Sequence, residues 1–452
     1  LLLPQSYRII IKTLIHSNLI SLVALLMKQQ RTSIILFLLC GITLLSADVA
    51  SAADVIKPDP RLPESTPWDL TALSQTPEFE WIDQTGPVHE LLYQGLEYKG
   101  KPTQVFAYYA SPRTLGLSKD KQASYPGVVL IHGGGGTAFR EWAELWAKQG
   151  YAAISMDLAG SRPLEGKNPH KREHRERLST GGPNQSHAEK FNAIKDDKSE
   201  HWCYHAPANA ILAHSLIRSF PEVDKDRTAV TGISWGGYLT CIVSGLDNRF
   251  KAAAPVYGCG FLNNHSVFER SINQLPDEDA KRWMQLYDPG HYLRAVQMPI
   301  LFLNGTNDFH YWLQAYQRSY EAVPASTPKN IRIEVKMRHS HPAGWEPKEI
   351  ARFFDEKLKQ AAPLAVVQKP VIQGEQITAE LAQPVKLKSA VLQYTTDEGP
   401  NLERKWQAVP LTIEGTKITG PAPPKNAVIW FINVTDEQDA MTSSPLSSKL
   451  VK

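Results

Sequence analysis

Six short apolar runs, five of them followed by a stretch with helical spacing, constrain the middle of this chain more than any other feature. The runs cover 127–131, 152–156, 228–231, 252–256, 300–303 and 331–335. They are short, mostly apolar and rich in β-branched and small residues, as strands covered on both faces are. The segments 142–149, 208–220, 237–245, 311–322 and 347–360 repeat apolar residues at the helical period. Strands that alternate with helices in this way predict an α/β fold, a mostly parallel sheet wound on both sides. Two connections, 158–201 and 258–288, are too long for turns. Insertions of that length in a compact domain commonly wall a site.

The flanks read differently. From Met27 a basic start (Lys28, Arg31) precedes an apolar run over 34–45 and the small-residue sequence Ala50-Ser51-Ala52. That order predicts a signal peptide cleaved after Ala52, preceded by an upstream extension over 1–26. Its apolar run falls short of the roughly 20 residues that a spanning helix needs, so no stable membrane anchor is expected after cleavage, and the product is secreted or periplasmic. Residues 53–87 read as an extended leader, 88–361 as the α/β domain. Beyond Ala361-Ala362-Pro363 the helical period disappears, and strand-like runs at 385–394, 406–413, 427–434 and 446–451 predict a small all-β, Ig-like sandwich over 362–452.

A formal charge of +3 on 452 residues excludes nucleic acid as an expected partner. The basic run 171–177, broken by Glu173 and Glu176, reads as a solvated loop face. Cys203, Cys241 and Cys259 permit one disulfide or three buried thiols, and both readings stand.

The chemistry concentrates in four places. Gly232-Ile233-Ser234-Trp235-Gly236-Gly237 lies between a strand and a helix, the context of a nucleophile elbow. Small neighbours let the strand and helix close on a tight turn that exposes the Ser234 hydroxyl. His132-Gly133-Gly134-Gly135-Gly136 follows the first parallel strand, where backbone amides can face a developing oxyanion. Gly133 or Gly134 together with Trp235 are the expected donors. A serine hydroxyl needs a base and an acid to orient that base. Asp308 follows the strand at 300–303, and His339 and His341 follow the next one. The order Ser, Asp, His is that of the α/β-hydrolase fold. Of the two histidines, His341 is the expected base, since it stands further from the strand end and just before a helix; His339 is left a structural part. His201 and His205 have a four-residue spacing that suits a metal, but the Glu of a zinc-protease helix is absent, and they are expected to be solvated or to line a pocket.

With these residues in place, 88–360 resembles bacterial acetyl xylan esterases and dienelactone-hydrolase-like proteins and, more distantly, the catalytic domains of prolyl oligopeptidases. The residues that carry the resemblance are His132 to Gly136, Gly232 to Gly237, Gly305 to Asp308 and His341-Pro342-Ala343-Gly344. It implies a serine carboxylic-ester hydrolase that uses neither cofactor nor metal and acts on carbohydrate or other small acyl esters. In the oligopeptidases a His-Gly-Ala-Gly run supplies the base before the last helix, which favours His341, although Pro342 replaces the first glycine. The rival expectations are a secreted serine aminopeptidase or acyl-peptidase-like hydrolase, and a binding protein on the same fold without catalysis.

Overall fold

In the computed structural model of the protein, which describes residues 55–450, the apolar runs line up as the centre of a 14-stranded sheet. The signal segment expected before Ala52 lies outside the described residues. In chain order the strands are β1 (Phe79–Asp83), β2 (His89–Gln94), β3 (Gln104–Ala110), β4 (Tyr125–Ile131), β5 (Ala152–Met156), an insertion hairpin β6 (Ser161–Pro163) and β7 (Arg175–Arg177), then β8 (Val223–Ile233), β9 (Ala252–Val256), β10 (Ile300–Gly305) and β11 (Lys329–Glu334). Strands β5, β4, β8, β9, β10 and β11 are neighbours in that order and parallel throughout. Every residue of β4, β5, β9 and β10 is buried, as the unbroken apolar runs require.

Helices cover both faces. Trp202–Ser219 starts before Pro207, although that proline was expected to precede the helix. A proline inside a helix costs about 3 kcal/mol, and burial of nearly all of this helix, from Trp202 to Arg218, offsets it. The leader is pinned by Trp68. Its ring stacks on Tyr204 at 6.2 Å and meets Tyr292 edge-on at 5.6 Å, while Nε1 donates to the Tyr204 carbonyl at 2.8 Å. The last part of the leader joins the sheet as β1, paired antiparallel with β2.

The C-terminal strands are β12 (Val371–Gln373), β13 (Gln376–Glu380), β14 (Leu387–Thr395), β15 (Gln407–Pro410), β16 (Thr412–Glu414), β17 (Lys417–Pro421), β18 (Ile429–Asp436), β19 (Met441–Ser443) and β20 (Ser447–Ser448). The run at 406–413 was expected to be one strand. It divides instead at Leu411, β15 pairing with β14 and β16 with β17 in a separate four-stranded sheet, β12-β13-β17-β16. Ile377, Ala379 and Ile418 from that sheet meet Leu392, Ile432 and Val434 in a second, smaller core. The other sheet of this sandwich continues the main one, because β19 pairs antiparallel with β11. At the seam, Asn433 Nδ2 donates to the Ile333 carbonyl at 3.2 Å, Ser443 Oγ donates to Asn433 Oδ1 at 2.7 Å, and the Ile333 amide donates to Ser443 Oγ at 2.8 Å.

Cys203, Cys241 and Cys259 are three separate buried thiols, and burial pushes the Cys203 thiol up to about 12. Among the described residues no helix is long and apolar enough to cross a membrane.

The seam gives a direct test. Asn433→Ala strands a buried carbonyl and a buried hydroxyl, and should cost about 1–3 kcal/mol in urea unfolding. A cost below about 0.5 kcal/mol would show that the seam contributes only backbone pairing.

Candidate active site

Ser234 sits at the end of β8 and caps the helix Trp235–Leu246 with φ 60° and ψ −115°. This backbone is strained for a residue with a side chain, at a cost of about 1–3 kcal/mol. The glycines around it make the turn possible. A Cβ on Gly232 would meet the Gly236 carbonyl, one on Gly236 the Ile131 carbonyl and one on Gly237 the Val256 carbonyl, all inside the 3.0 Å that real Cβ atoms keep. The Ser234 amide donates to the Val256 carbonyl at 2.8 Å, which ties the turn to β9. As the first residue of its helix, Trp235 has an amide with no partner inside the helix.

Asp308 follows β10 and is buried. Its Oδ1 accepts the amides of His310 and Tyr311, both at 2.8 Å, and its Oδ2 accepts Nδ1 of His339 at 2.5 Å. The carboxylate therefore orients His339, not the expected His341. The His339 ring stacks on Tyr257 at 4.3 Å and lies parallel to Tyr311 at 6.3 Å. Tyr311 is buried, its phenol makes no protein hydrogen bond within the usual distance, and the Ser234 side chain is among the groups that act on it. The hydroxyl of Tyr257 donates to the Arg338 carbonyl at 2.6 Å, holding the backbone just before His339.

His341 has another task. Its Nε2 accepts the Gly133 amide at 3.0 Å. Burial lowers it to about 3, with the positive fields of His132, His170 and Arg175 adding to the effect. The ring is thus neutral at working pH and serves as an acceptor. Only Ser340 separates it from His339 in the chain, yet the two rings belong to different elements: His341 begins the short helix His341–Trp345, capped by Ser340.

The glycine loop is fixed from several sides. His132 Nδ1 contacts the Gly133 carbonyl at 2.8 Å and Nε2 accepts the Leu158 amide at 2.9 Å, which assigns its proton to Nδ1. The Gly136 amide returns to the Gly133 carbonyl, and the Gly135 amide donates to Gln185 Oε1 at 2.9 Å. With the Gly133 amide taken by His341, the Gly134 amide is the one in the loop that has no hydrogen bond among the described residues. The basic run expected to face solvent also reaches this loop. Arg175 donates to the carbonyls of Gly135 and Gly136 at 2.8 and 2.7 Å, and Arg172 lies against Gly135.

Residues 69–301, just over half of the chain, match the model of the acetyl xylan esterase (AXE1) family. The chain belongs to the acetyl xylan esterase family. The matched region holds the glycine loop and Ser234 and ends before Asp308. An acetyl esterase of Xylanibacter ruminicola is 26% identical over 204 residues, 42% of this chain and 45% of that protein. An uncharacterised peptidase of Bacillus subtilis is 28% identical over 200 residues, 41% of this chain and 26% of that protein. The chain thus aligns with less than half the length of these curated relatives. Among solved structures, the acetyl xylan esterase from Paenibacillus sp. R4 is 21% identical with a TM-score of 0.49, covering 64% of this chain and 92% of that one.

The C-terminal region, to which the sequence assigned no chemistry, reaches Asp308 through the short 3-10 turn Asn401–Glu403 between β14 and β15. Asn401 Nδ2 donates to the Asp308 carbonyl at 2.7 Å, and Asn307 Nδ2 is within 3.2 Å of the carbonyls of Asn401, Leu402 and Arg404. No local signal marks Asn401, since 93 residues separate it from Asp308. As for metals, ligand atoms of Asp308, His310 and His339 lie within 4.8 Å of one another. Both Asp308 oxygens are already hydrogen-bonded, so an ion there would have to replace the Asp308–His339 hydrogen bond. His201 and His205 turn to different partners, the Tyr287 hydroxyl and the Ser199 carbonyl, each at 2.6 Å.

The bracing of Asp308 predicts that Asn401→Ala lowers kcat on an aryl acetate by about tenfold or more, with the helix and strand content kept by circular dichroism. An unchanged kcat would show that the acid loop holds its place without the sandwich.

Proposed function

We propose that this protein is a serine esterase that removes small acyl groups, acetyl above all, from carbohydrate or similar alcohols. The observation that carries the reading is the Asp308–His339 hydrogen bond together with a serine on a strained strand-to-helix turn. Ser234 Oγ attacks the ester carbonyl while Nε2 of His339 takes its proton, and Asp308 stabilises the imidazolium through Nδ1. The amides of Trp235 and Gly134, the donors left without partners, receive the negative oxygen of the tetrahedral intermediate. Collapse breaks the bond to the alcohol, which leaves with the proton from His339. Water then attacks the acyl-serine, giving its proton to His339, and the acid departs as Ser234 is restored. His341 acts as a positioning residue that holds the Gly133 amide, so the glycine loop presents Gly134. Export through the segment 27–52 is proposed on its sequence pattern alone.

The test is turnover of nitrophenyl acetate and acetylated xylo-oligosaccharides. Ser234→Ala and His339→Ala should each lower kcat by about a thousandfold or more, and His341→Ala by about tenfold to a hundredfold. His341→Gln, whose amide oxygen can still accept from Gly133, should recover part of that loss. If His341→Ala matched Ser234→Ala while His339→Ala stayed active, the base would be misassigned. Faster cleavage of aminoacyl amides than of esters would replace the esterase reading with a peptidase.

A further inference from the structure

The first insertion places polar groups next to the nucleophile that the proposed mechanism does not use. Lys190, on the short helix His187–Lys190, holds Nζ 4.5 Å from the ring centre of Trp235, the residue that follows the nucleophile, and 5.8 Å from that of Trp202. It has no ion pair or hydrogen bond through Nζ among the described residues. Burial brings it down to about 8, and the nearby groups acting on it are the Cys203 thiol and the Arg172 guanidinium, not a carboxylate. A cation taken out of water is normally paired, and aromatic faces supply only part of the lost hydration.

Arg172, exposed to solvent, is a second cation of the same insertion. Its Nη2 would lie 3.1 Å from a Cβ on Gly135, and its guanidinium has no hydrogen bond or ion pair among the described residues. Its neighbour Arg175 is fully engaged with loop carbonyls, so Arg172 and Arg175 differ in kind. Gln185 is the third polar group. Its Oε1 accepts the Gly135 amide, while its Nε2 is buried without a partner. Gly134 packs against Trp235 Cδ1. The strip formed by Gly134, Gly135 and the Trp235 ring therefore joins the proposed oxyanion amides to three donors without a protein acceptor among the described residues, of which Gln185 Nε2 is buried and Arg172 is exposed.

We propose that Lys190, Arg172 and Gln185 form a subsite for a carboxylate carried by the ester substrate, beside the scissile bond. The inference rests on the esterase reading and narrows its substrate class to acidic esters. Two charged donors and a neutral amide suit one carboxylate, with Arg172 able to bind both oxygens and Lys190 acting as a point charge. The carboxylate can belong to the alcohol part, as in an acetylated uronic-acid oligosaccharide, or to the acyl part, as in the monoester of a dicarboxylic acid.

Two matched pairs separate these sources: acetylated uronic-acid against acetylated neutral oligosaccharides, and the nitrophenyl monoester of succinate against nitrophenyl butyrate. The wild-type enzyme should prefer the acidic member of one pair by about tenfold in kcat/KM. Lys190→Met and Arg172→Gln should each remove most of that preference through KM, Lys190→Arg should keep it, and Lys195→Gln, an exposed charge on the same insertion, should leave it in place. Nitrophenyl acetate turnover that depends on Ser234 reports the esterase reading separately. If that turnover is present and neither pair shows a preference, or if Lys190→Met lowers stability without changing the preference, the subsite does not exist and Lys190 is a structural cation on Trp235.

Discussion

The close approach of backbone to backbone around Ser234 is the constraint on which the remaining geometry depends. Gly232, Gly236 and Gly237 each lie where a single methyl group would overlap a carbonyl of the turn or of a neighbouring strand. Because the helix can come so near β4, β8 and β9, its first amide faces the same space as the glycine loop after β4. The strained φ of Ser234 is held by the all-buried strands on either side, which cannot shift to relieve it.

The proposed acid and base are held by a different device. Asp308 and His339 come from loops at the ends of β10 and β11, on the side of the sheet that the C-terminal strands extend. The Thr306 hydroxyl accepts the Lys336 amide at 3.0 Å and joins the two loops directly. Asn401 then fixes the Asp308 backbone from the sandwich. A module that shares the main sheet through β19 can support the Asp308 loop more rigidly than one hung on a linker, because its register is set by the same ladder.

The two histidines illustrate how far neighbouring residues can diverge. His339 lies between Tyr257 and Tyr311 and is oriented by a carboxylate, while His341 heads a helix and holds a loop amide. The insertion that contains Arg172, Gln185 and Lys190 closes over the other side of that loop. Its basic run read as solvated because charge patterns carry no information on which backbone they will meet.

The sequence by itself determined the parallel core and the tight strand-to-helix turn at Ser234, because each is written in contiguous residues whose period or small size has one physical meaning. Strands 152–156 and 252–256 were legible to the residue, since unbroken apolar runs have nowhere to go but a sheet covered on both faces. Only the tertiary structure decided which histidine Asp308 holds, which loop amide stays free, that 406–413 divides between two sheets, and that Asn401 supports the acid. Those outcomes rest on hydrogen bonds between residues far apart in the chain, and the direction of a side chain at such a distance is set by packing that no local pattern encodes.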